Sequence, residues 1–403
     1  VTVSPAPVPG PPVRRRPGAP TLVDAGRLRP AWAEIDLDAI RHNAAALARL
    51  AAPAGLCAVV KAGGYGHGAV PVARAALEGG ATHLAVALVE EGRQLRDAGI
   101  AAPVLVLSQP APAAMAEVVA AGLTPSLYTA EGVEALAAAV RAAGRRAPLP
   151  VHVKVDTGMH RVGAAPDEAV GLACAVARCP ELAVEGVFTH LAVADEPDDP
   201  YTAHQLDRFD AVVADLAAAG VRPAVLHAAN SAGALLHPRA RYDLVRCGIA
   251  LYGLAPGADS RSHPDVAGLR PALALKARVS HVKELPAGER LSYGLRYRLP
   301  VRSVIATVPL GYADGVTRAL SAAGGEILIG GRRLPLAGTI TMDQLLVDCG
   351  PGADVAVGDE AVLIGHQGDE RIDAWDWAAR TGTIAYEVVC GVSVRVPRTY
   401  ASR

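Results

Sequence analysis

Between residues 56 and 246 a short apolar stretch recurs eight times, at 56–60, 82–87, 103–107, 124–127, 149–155, 184–189, 223–227 and 242–246. Between most of them lies an Ala-, Leu- and Val-rich segment with helical spacing, as at 69–78, 130–143, 166–178 and 202–219. Gly often closes the helical segment, as at Gly79-Gly80, Gly99, Gly122 and Gly220. Eight strands with crossover helices in roughly 230 residues match the size and strand count of a (β/α)8, TIM-type barrel. A doubly wound open α/β sheet is the alternative. It usually has fewer strands and a Gly-rich dinucleotide turn, and no such turn follows the first strand.

Beyond about residue 266 the period changes. "LALKARVSHVKEL", "SVIATVPLGYADG", "EILIGGRRLPLAG", "TITMDQLLVDC", "AVGDEAVLIG" and "CGVSVRVPR" read as strands with little helix between them, and "IGGRR" reads as a hairpin turn. The expected organisation is a Pro- and Arg-rich disordered arm over 1–28, the barrel over 38–265 and a mainly β domain over 266–403. The alternating stretch 32–37 precedes the first barrel helix and is expected to pair with the β domain. Asp38 is a candidate N-cap for that helix.

Composition excludes several classes. The 403 residues carry 39 Lys and Arg against 40 Asp and Glu, which gives no electrostatic reason for nucleic-acid binding or a polybasic membrane anchor. No apolar run approaches the ~20 residues of a membrane span, and no apolar h-region of a signal peptide is seen. The six cysteines form no CxxC pair, so neither a metal site nor a disulfide framework is expected, and a cytoplasmic setting is the default.

In such a barrel, function sits at the C-terminal ends of the strands. Strand one leads to Lys61 and "AGGYGHG". Strand five leads to Lys154, Asp156 and Arg161, and strand six to Thr189 and His190. Strand seven leads to His227, Asn230 and Ser231, and strand eight to Arg246 and "CGIALYG". A Lys at the mouth of an apolar barrel loses hydration, which lowers its pKa and suits it to Schiff-base or general-base chemistry. The glycines after it let the backbone pass close to a ligand. Ser231 at a helix start, and Gly248 with the next amide, are anion-binding signals after strands seven and eight. A lysine for an aldehyde together with a phosphate cradle points to pyridoxal phosphate, PLP.

The stretches "AVVKAGGYGHG", "KVDTGMHRVG", "GVFTHLAVAD", "HAANSAGAL", "DLVRCGIALYG", "LSYGLRY", "VPLGYADGV", "TMDQ" and "YEVVCGVSVRVPR" together resemble bacterial alanine racemase, a PLP-dependent family of fold type III. The resemblance covers roughly residues 32 to 400 in order. It implies interconversion of L- and D-alanine, in service of D-alanine supply for peptidoglycan precursors, of catabolism or of resistance to an alanine-mimicking inhibitor, by a head-to-tail homodimer with composite active sites. By motif, Lys61 resembles the lysine that binds PLP covalently and serves as one base. Tyr293 resembles the tyrosine that serves as the opposite base, delivered from the other subunit. Arg161 resembles the arginine that positions the tyrosine hydroxyl and the substrate carboxylate, and Lys154 a lysine that can be carbamylated to hold that arginine. Arg246 resembles the arginine facing the pyridine nitrogen, and His190 the histidine linked to it. Tyr65, Ser231, Gly248, Ile249 and Tyr386 resemble phosphate-site residues, with Asn230 beside Ser231. Met342 resembles the partner residue whose backbone amide meets the substrate carboxylate, and Tyr312 a gate residue.

Racemisation needs a base on one face of Cα and an acid on the other. Lys and Tyr ordinarily titrate near ~10, so both need tuning to work near neutrality. An arginine stays protonated and cannot readily give its proton to the ring nitrogen, which limits carbanion side reactions. The chain departs from the family at Gly63-Gly64, where Asn-Ala is common, and at Thr341, where Cys is frequent. The alternatives are a broader-specificity or serine racemase, a PLP amino-acid decarboxylase, and a non-catalytic PLP-binding protein. Arg246 and Tyr293 argue against the decarboxylase. The second domain argues against the cofactor-handling protein, which is a lone barrel.

Overall fold

A computed structural model of the chain describes residues 28–401. The arm expected over 1–28 falls, up to residue 27, outside the described residues. The described residues divide into two compact units, one comprising Asp36–Ala272 with Tyr400 and Ala401, the other Leu28–Ile35 with Leu273–Thr399.

The first unit is built on eight parallel strands: β2 (Gly55–Val59), β3 (His83–Val86), β4 (Val104–Val106), β5 (Thr124–Leu127), β6 (Leu149–Lys154), β7 (Leu182–Phe188), β8 (Val225–His227) and β9 (Leu244–Cys247). Each strand from β2 to β8 pairs with the next, and β9 pairs with β2 in parallel, which brings the sheet round on itself. The β8–β9 seam is bridged by Asp243 N donating to Leu226 O and Arg246 N donating to Ala229 O. All eight apolar stretches are therefore strands of one nearly closed barrel. Their side chains are buried almost throughout, with Leu56, Val104, Leu127, Val153 and Val245 at 1% exposure or less.

The intervening helices stand where the periodicity places them, at Ala69–Glu78, Ala130–Ala142, Pro166–Arg178 and Tyr201–Ala218. Their starts have chemical causes. The Thr129 side chain accepts from Gly132 N, and Pro166 occupies the first turn, where its missing N–H costs nothing. The first helix, Leu37–Ala51, corrects the expected cap: Asp36, not Asp38, accepts from Ala39 N. Asp38 lies inside the first turn and pairs with Arg41, so the strand runs into its own helix cap without a linker. Buried Asn43 on this helix donates to Leu251 O (3.0 Å) and Arg270 O (2.8 Å) and accepts from Arg270 N (2.8 Å). Each bond contributes about 1 kcal/mol net, and an unmatched partner would cost more.

In the second unit, β1 (Ala31–Asp36) pairs antiparallel with β10 (Leu273–Arg278). The same sheet takes in β15 (Glu326–Ile329), β16 (Arg332–Pro335), β18 (Glu360–Gln367), β19 (Glu370–Ile372) and β20 (Arg398–Ala401). β15 and β16 form the hairpin expected at "IGGRR", with Gly330 and Gly331 at φ 61° and 71° as such a turn requires. A second sheet joins β11 (His281–Leu285), β14 (Ser303–Val308) and β17 (Leu345–Asp348), and β12 (Arg290–Leu291) pairs with β13 (Tyr297–Arg298).

The unit is mainly β as expected and also carries the helices Ala374–Thr381 and Ala385–Cys390, and one expected strand is corrected: 391–397, "GVSVRVP", is not a strand, and β20 begins only at Arg398. Pro397 lacks an N–H, and the Arg398 guanidinium donates to the carbonyls of Val392, Ser393 and Val396, taking the place of a partner strand. Val394, which alternation would turn inward, is 96% exposed.

Candidate active site

Lys61 stands two residues past β2, at the head of a five-residue turn, Lys61–Tyr65. Ala62, Gly63, Gly64 and Tyr65 all have φ between 51° and 64°. A left-handed turn of this length costs about 1–2 kcal/mol for each residue with a Cβ, and two glycines remove half of that cost. This is the physical reason for the pliable "AGGY". Glu91 pins the turn: its carboxylate accepts from Ala62 N at 2.6 Å, and from Ala87 N and Leu88 N at the end of β3. The turn delivers Tyr65 into the interior, stacked 4.9 Å from Tyr252, whose hydroxyl donates to Val59 O.

Arg246, in β9, is 3% exposed. Its Nη1 donates to His227 Nδ1 at 2.8 Å. Its Nη2 donates to Thr189 O (2.9 Å), Ala228 O (3.0 Å) and His190 Nδ1 (3.1 Å). Burial holds the guanidinium down to about 10, still protonated at neutral pH. Phe188 lies under this cluster, with the Arg246 carbon 5.2 Å and Lys154 Nζ 5.4 Å from its ring centroid, and His227 stacked at 4.6 Å. Desolvation first, and then the charges of Arg246, Arg161 and Lys61, push the Lys154 amine down to about 8, with Asp156 opposing. His190 is held well below the usual imidazole range by desolvation and then by Arg246, Arg161, Lys154 and Lys61. Five cationic or imidazole side chains thus share one electrostatic site at the strand ends.

The loops after β6 and β7 are fixed by Asp156 and by two residues that the sequence did not single out, Gln205 and Tyr201. Buried Gln205 donates to His190 O (3.0 Å) and Thr157 Oγ1 (3.3 Å) and accepts from Ala192 N (2.8 Å). Tyr201 donates to Gly158 O at 3.0 Å, and Asp156 accepts from Gly158 N and His160 N. These contacts carry the exposed Arg161 at the end of "TGMHR".

After β8, Asn230 caps the helix Ser231–Leu236 by accepting from Gly233 N, and its amide nitrogen donates to Leu191 O. Both ends of the Asn230 side chain are therefore engaged with protein. Ser231 Oγ accepts from Gly248 N (2.9 Å) and Ala250 N (3.3 Å), which leaves its own proton to donate. A Cβ placed on Gly248 would come within 2.3 Å of the Tyr65 hydroxyl. Tyr65, Ser231, Gly248 and Ile249 therefore converge from three different strand ends.

The remaining residues lie in the other unit. Tyr293 is 73% exposed, Met342 51% and Tyr312 41%. Their loops are knit together: Thr339 Oγ1 donates to Tyr293 O, Tyr312 N to Thr341 O and Ala313 N to Met342 O. Tyr293 sits between Ser292 at φ 60° and Leu295 at φ 49°, conformations that side chains other than glycine rarely hold. Asp314 is fully buried; it accepts from Gly311 N and pairs with Arg29 at 2.7 Å. Asp343 pairs with Arg395 at 2.7 Å. Tyr386 is half-buried on the helix Ala385–Cys390. Among the described residues no helix is long and apolar enough to cross a membrane, and no cluster of His, Cys, Asp or Glu could hold a metal ion.

A (β/α)8 barrel with a cationic cluster on its strand-end rim, in a chain whose other, β-rich unit presents exposed tyrosines, defines a two-domain barrel enzyme. The family model "Alanine racemase, N-terminal domain" matches residues 35–256, and "Alanine racemase, C-terminal domain" matches 272–400. An alanine racemase of Symbiobacterium thermophilum is 53% identical over 381 residues, covering 94% of this chain and 99% of its own. One of Thermobifida fusca is 46% identical over 92% of this chain and 98% of its own. The crystal structure of alanine racemase from D-cycloserine-producing Streptomyces lavendulae superposes with a TM-score of 0.87 at 41% identity, covering 93% of this chain and 97% of that one. The chain belongs to the alanine racemase family, a family of isomerases.

Proposed function

We propose that this protein interconverts L- and D-alanine with PLP as cofactor, in a homodimer whose sites combine Lys61 of one copy with Tyr293 of the other. The observation that carries the reading is the cluster of Lys61, Lys154, Arg161, His190 and Arg246 at one barrel rim, with only Asp156 opposing among the charges acting on Lys154. Such a concentration of positive charge suits an anionic cofactor and a carboxylate substrate.

The residues fit PLP. Tyr65, Ser231, and the turn at Gly248 and Ile249 would hold the phosphate, with the Ser231 proton and the Tyr65 hydroxyl as donors. Asn230 would act by holding Ser231 in place. Tyr386 is assigned to the same phosphate by motif. Lys61 would bond covalently to the aldehyde carbon, and Arg246 would face the ring nitrogen as a pure hydrogen-bond donor, linked to His190. When bound, PLP withdraws the electron pair left on the substrate Cα after proton removal.

Lys61 then moves a proton on one face of Cα and the Tyr293 phenol on the other, each acting as acid where its counterpart acts as base. Arg161 and the Met342 amide would orient the substrate carboxylate, and Tyr312 would narrow the access to it. The exposure of Tyr293, Met342 and Tyr312 on linked loops supports a surface made to be covered by a second copy.

The reading is tested by supplying each enantiomer of alanine and of serine to the purified, PLP-loaded enzyme and following chirality. Both alanine enantiomers should reach the same equimolar mixture, and serine should react much more slowly. Equal rates on serine would establish the broader-specificity reading instead, and no inversion of either amino acid would overturn racemisation.

Lys154 supports a further detail. With its amine pushed down to about 8, a fraction of order one tenth is neutral at pH 7, and this fraction grows as pH rises. The neutral nitrogen can attack CO₂ and release one proton, leaving a carbamate anion where a cation had faced Arg161. With ¹³C-labelled CO₂ at fixed pressure, a protein-bound carbamate signal should grow between pH 7 and 9 and vanish in Lys154→Ala. A wild-type protein without the signal would exclude the modification.

A further inference from the structure

A file of hydrogen-bonded side chains runs from Arg246 through the barrel interior. Arg246 Nη1 donates to His227 Nδ1 at 2.8 Å, His227 Nε2 lies 2.7 Å from His152 Nδ1, and His152 Nε2 lies 3.2 Å from a Glu185 oxygen. His227 is fully buried and His152 is 2% exposed, whereas the Glu185 side chain, at 37%, reaches water. β6, β7 and β8 are consecutive neighbours in the barrel, so His152, Glu185 and His227 come from three adjacent strands.

The direction of every bond in the file follows from its ends. A guanidinium has only donors, so His227 Nδ1 must accept. Desolvation, and then the Arg246 charge, keep His227 neutral, so its one proton sits on Nε2 and points at His152 Nδ1. That nitrogen must accept in turn, which puts the His152 proton on Nε2, facing Glu185. Glu185 is held below the usual carboxylate range first by this hydrogen bond, so it is ionised and acts as an acceptor only. The file is polarised throughout, from a cation that only donates to an anion that only accepts, and such chains strengthen bond by bond.

We propose that Glu185 is a positioning residue for Arg246, fixing the tautomers of His152 and His227 so that a lone pair, not an N–H, faces the guanidinium. Without an acceptor at Glu185, His152 is free to move its proton to Nδ1. His227 must then turn its own proton toward Arg246, donor against donor. Nη2 keeps its bonds to Thr189, Ala228 and His190, but Nη1 loses its partner and the guanidinium loses its fixed orientation. The tautomer lock concerns the protein alone. Its effect on the cofactor ring rests on the assignment of Arg246 to the ring nitrogen made above. His83, which faces Glu185 and His227 electrostatically, is tied to Thr82 Oγ1 at 2.9 Å and lies outside the file.

The test is long-range ¹H–¹⁵N correlation spectroscopy on histidine-labelled enzyme as purified, with His152→Gln and His227→Gln used to assign the signals. Wild type and Glu185→Gln, whose amide oxygen still accepts, should show both imidazoles as pure Nε2–H tautomers. Glu185→Leu should lose that purity and populate Nδ1–H, and the absorbance maximum of the bound cofactor should shift in the same variant only. An Nδ1–H tautomer at either histidine in wild type overturns the proposal, and this reading stands even if the Leu variant does not fold. Unchanged tautomers in a folded Leu variant also overturn it, whereas a tautomer change with no shift of the cofactor band supports the lock and overturns the assignment of Arg246 to the ring nitrogen. Absence of any bound cofactor in wild type would instead count against the catalytic reading and leave the tautomers to be read as before.

Discussion

Lys61→Ala should yield a colourless protein that carries no borohydride-reducible adduct, while the wild type is yellow and is labelled at Lys61. Racemisation should fall by more than the about 10²–10⁴-fold typical of losing one positioned acid–base group, because the substitution also removes the covalent anchor. The fold should survive. Lys61 opens a loop, is only half-buried, and contributes to the depressed basicity of Lys154, so its removal relieves repulsion. Difference spectra after borohydride reduction, with peptide mapping, check the result. A Lys61→Ala protein that keeps a reducible adduct would place the cofactor lysine elsewhere.

Tyr293→Phe should slow racemisation about 10²–10⁴-fold in both directions, since each direction needs both proton-handling groups. The side chain is 73% exposed, so deleting its hydroxyl should leave thermal stability unchanged. Because Tyr293 lies in one unit and Lys61 in the other, the same variant tests the composite site. A heterodimer of Lys61→Ala and Tyr293→Phe subunits would hold one site with both residues intact. Mixing the two inactive proteins under conditions of proven subunit exchange should restore part of the wild-type rate. No recovery would argue that each site is built from one chain.

Much of this could be read from the sequence because the barrel's constraints are local. A run such as "LCAVV", too short for a helix of its own, reads as a buried strand, and Thr129 or Pro166 marks a helix start without tertiary help. The rim residues were legible for a related reason: in a parallel barrel all strand ends lie on one side, so Lys61, Lys154, His190, Ser231 and Arg246 are brought together once the strands are counted. Asp36 reads in the sequence as the end of a strand, yet one residue can finish the strand and cap the helix. The misreading of "GVSVRVPR" came from alternation that Arg398 overrides with three side-chain hydrogen bonds.

What escaped the sequence depends on closure in three dimensions. His152 and Glu185 are 33 residues apart and each breaks its strand's apolar pattern, which was the available signal. Only the adjacency of β6, β7 and β8 makes them partners. The same holds for Gln205, a helix residue whose value lies in three bonds to loops it does not belong to. The platform bearing Tyr293, Tyr312 and Met342 was legible only by family motif, since hydrogen bonds across as many as 46 residues join its loops.

In the proposed two-base mechanism Lys61 and Tyr293 serve opposite faces of the substrate Cα. The most direct test of this mechanism is exchange of the α-hydrogen of each alanine enantiomer, supplied separately to Tyr293→Phe in deuterated solvent and followed by proton NMR. One base cannot reach both faces of a planar adduct, so exchange should persist without inversion for the enantiomer presented to Lys61, D-alanine by family resemblance, and should nearly vanish for the other. Equal slowing of exchange for both enantiomers, with the cofactor still bound, would contradict the two-base assignment.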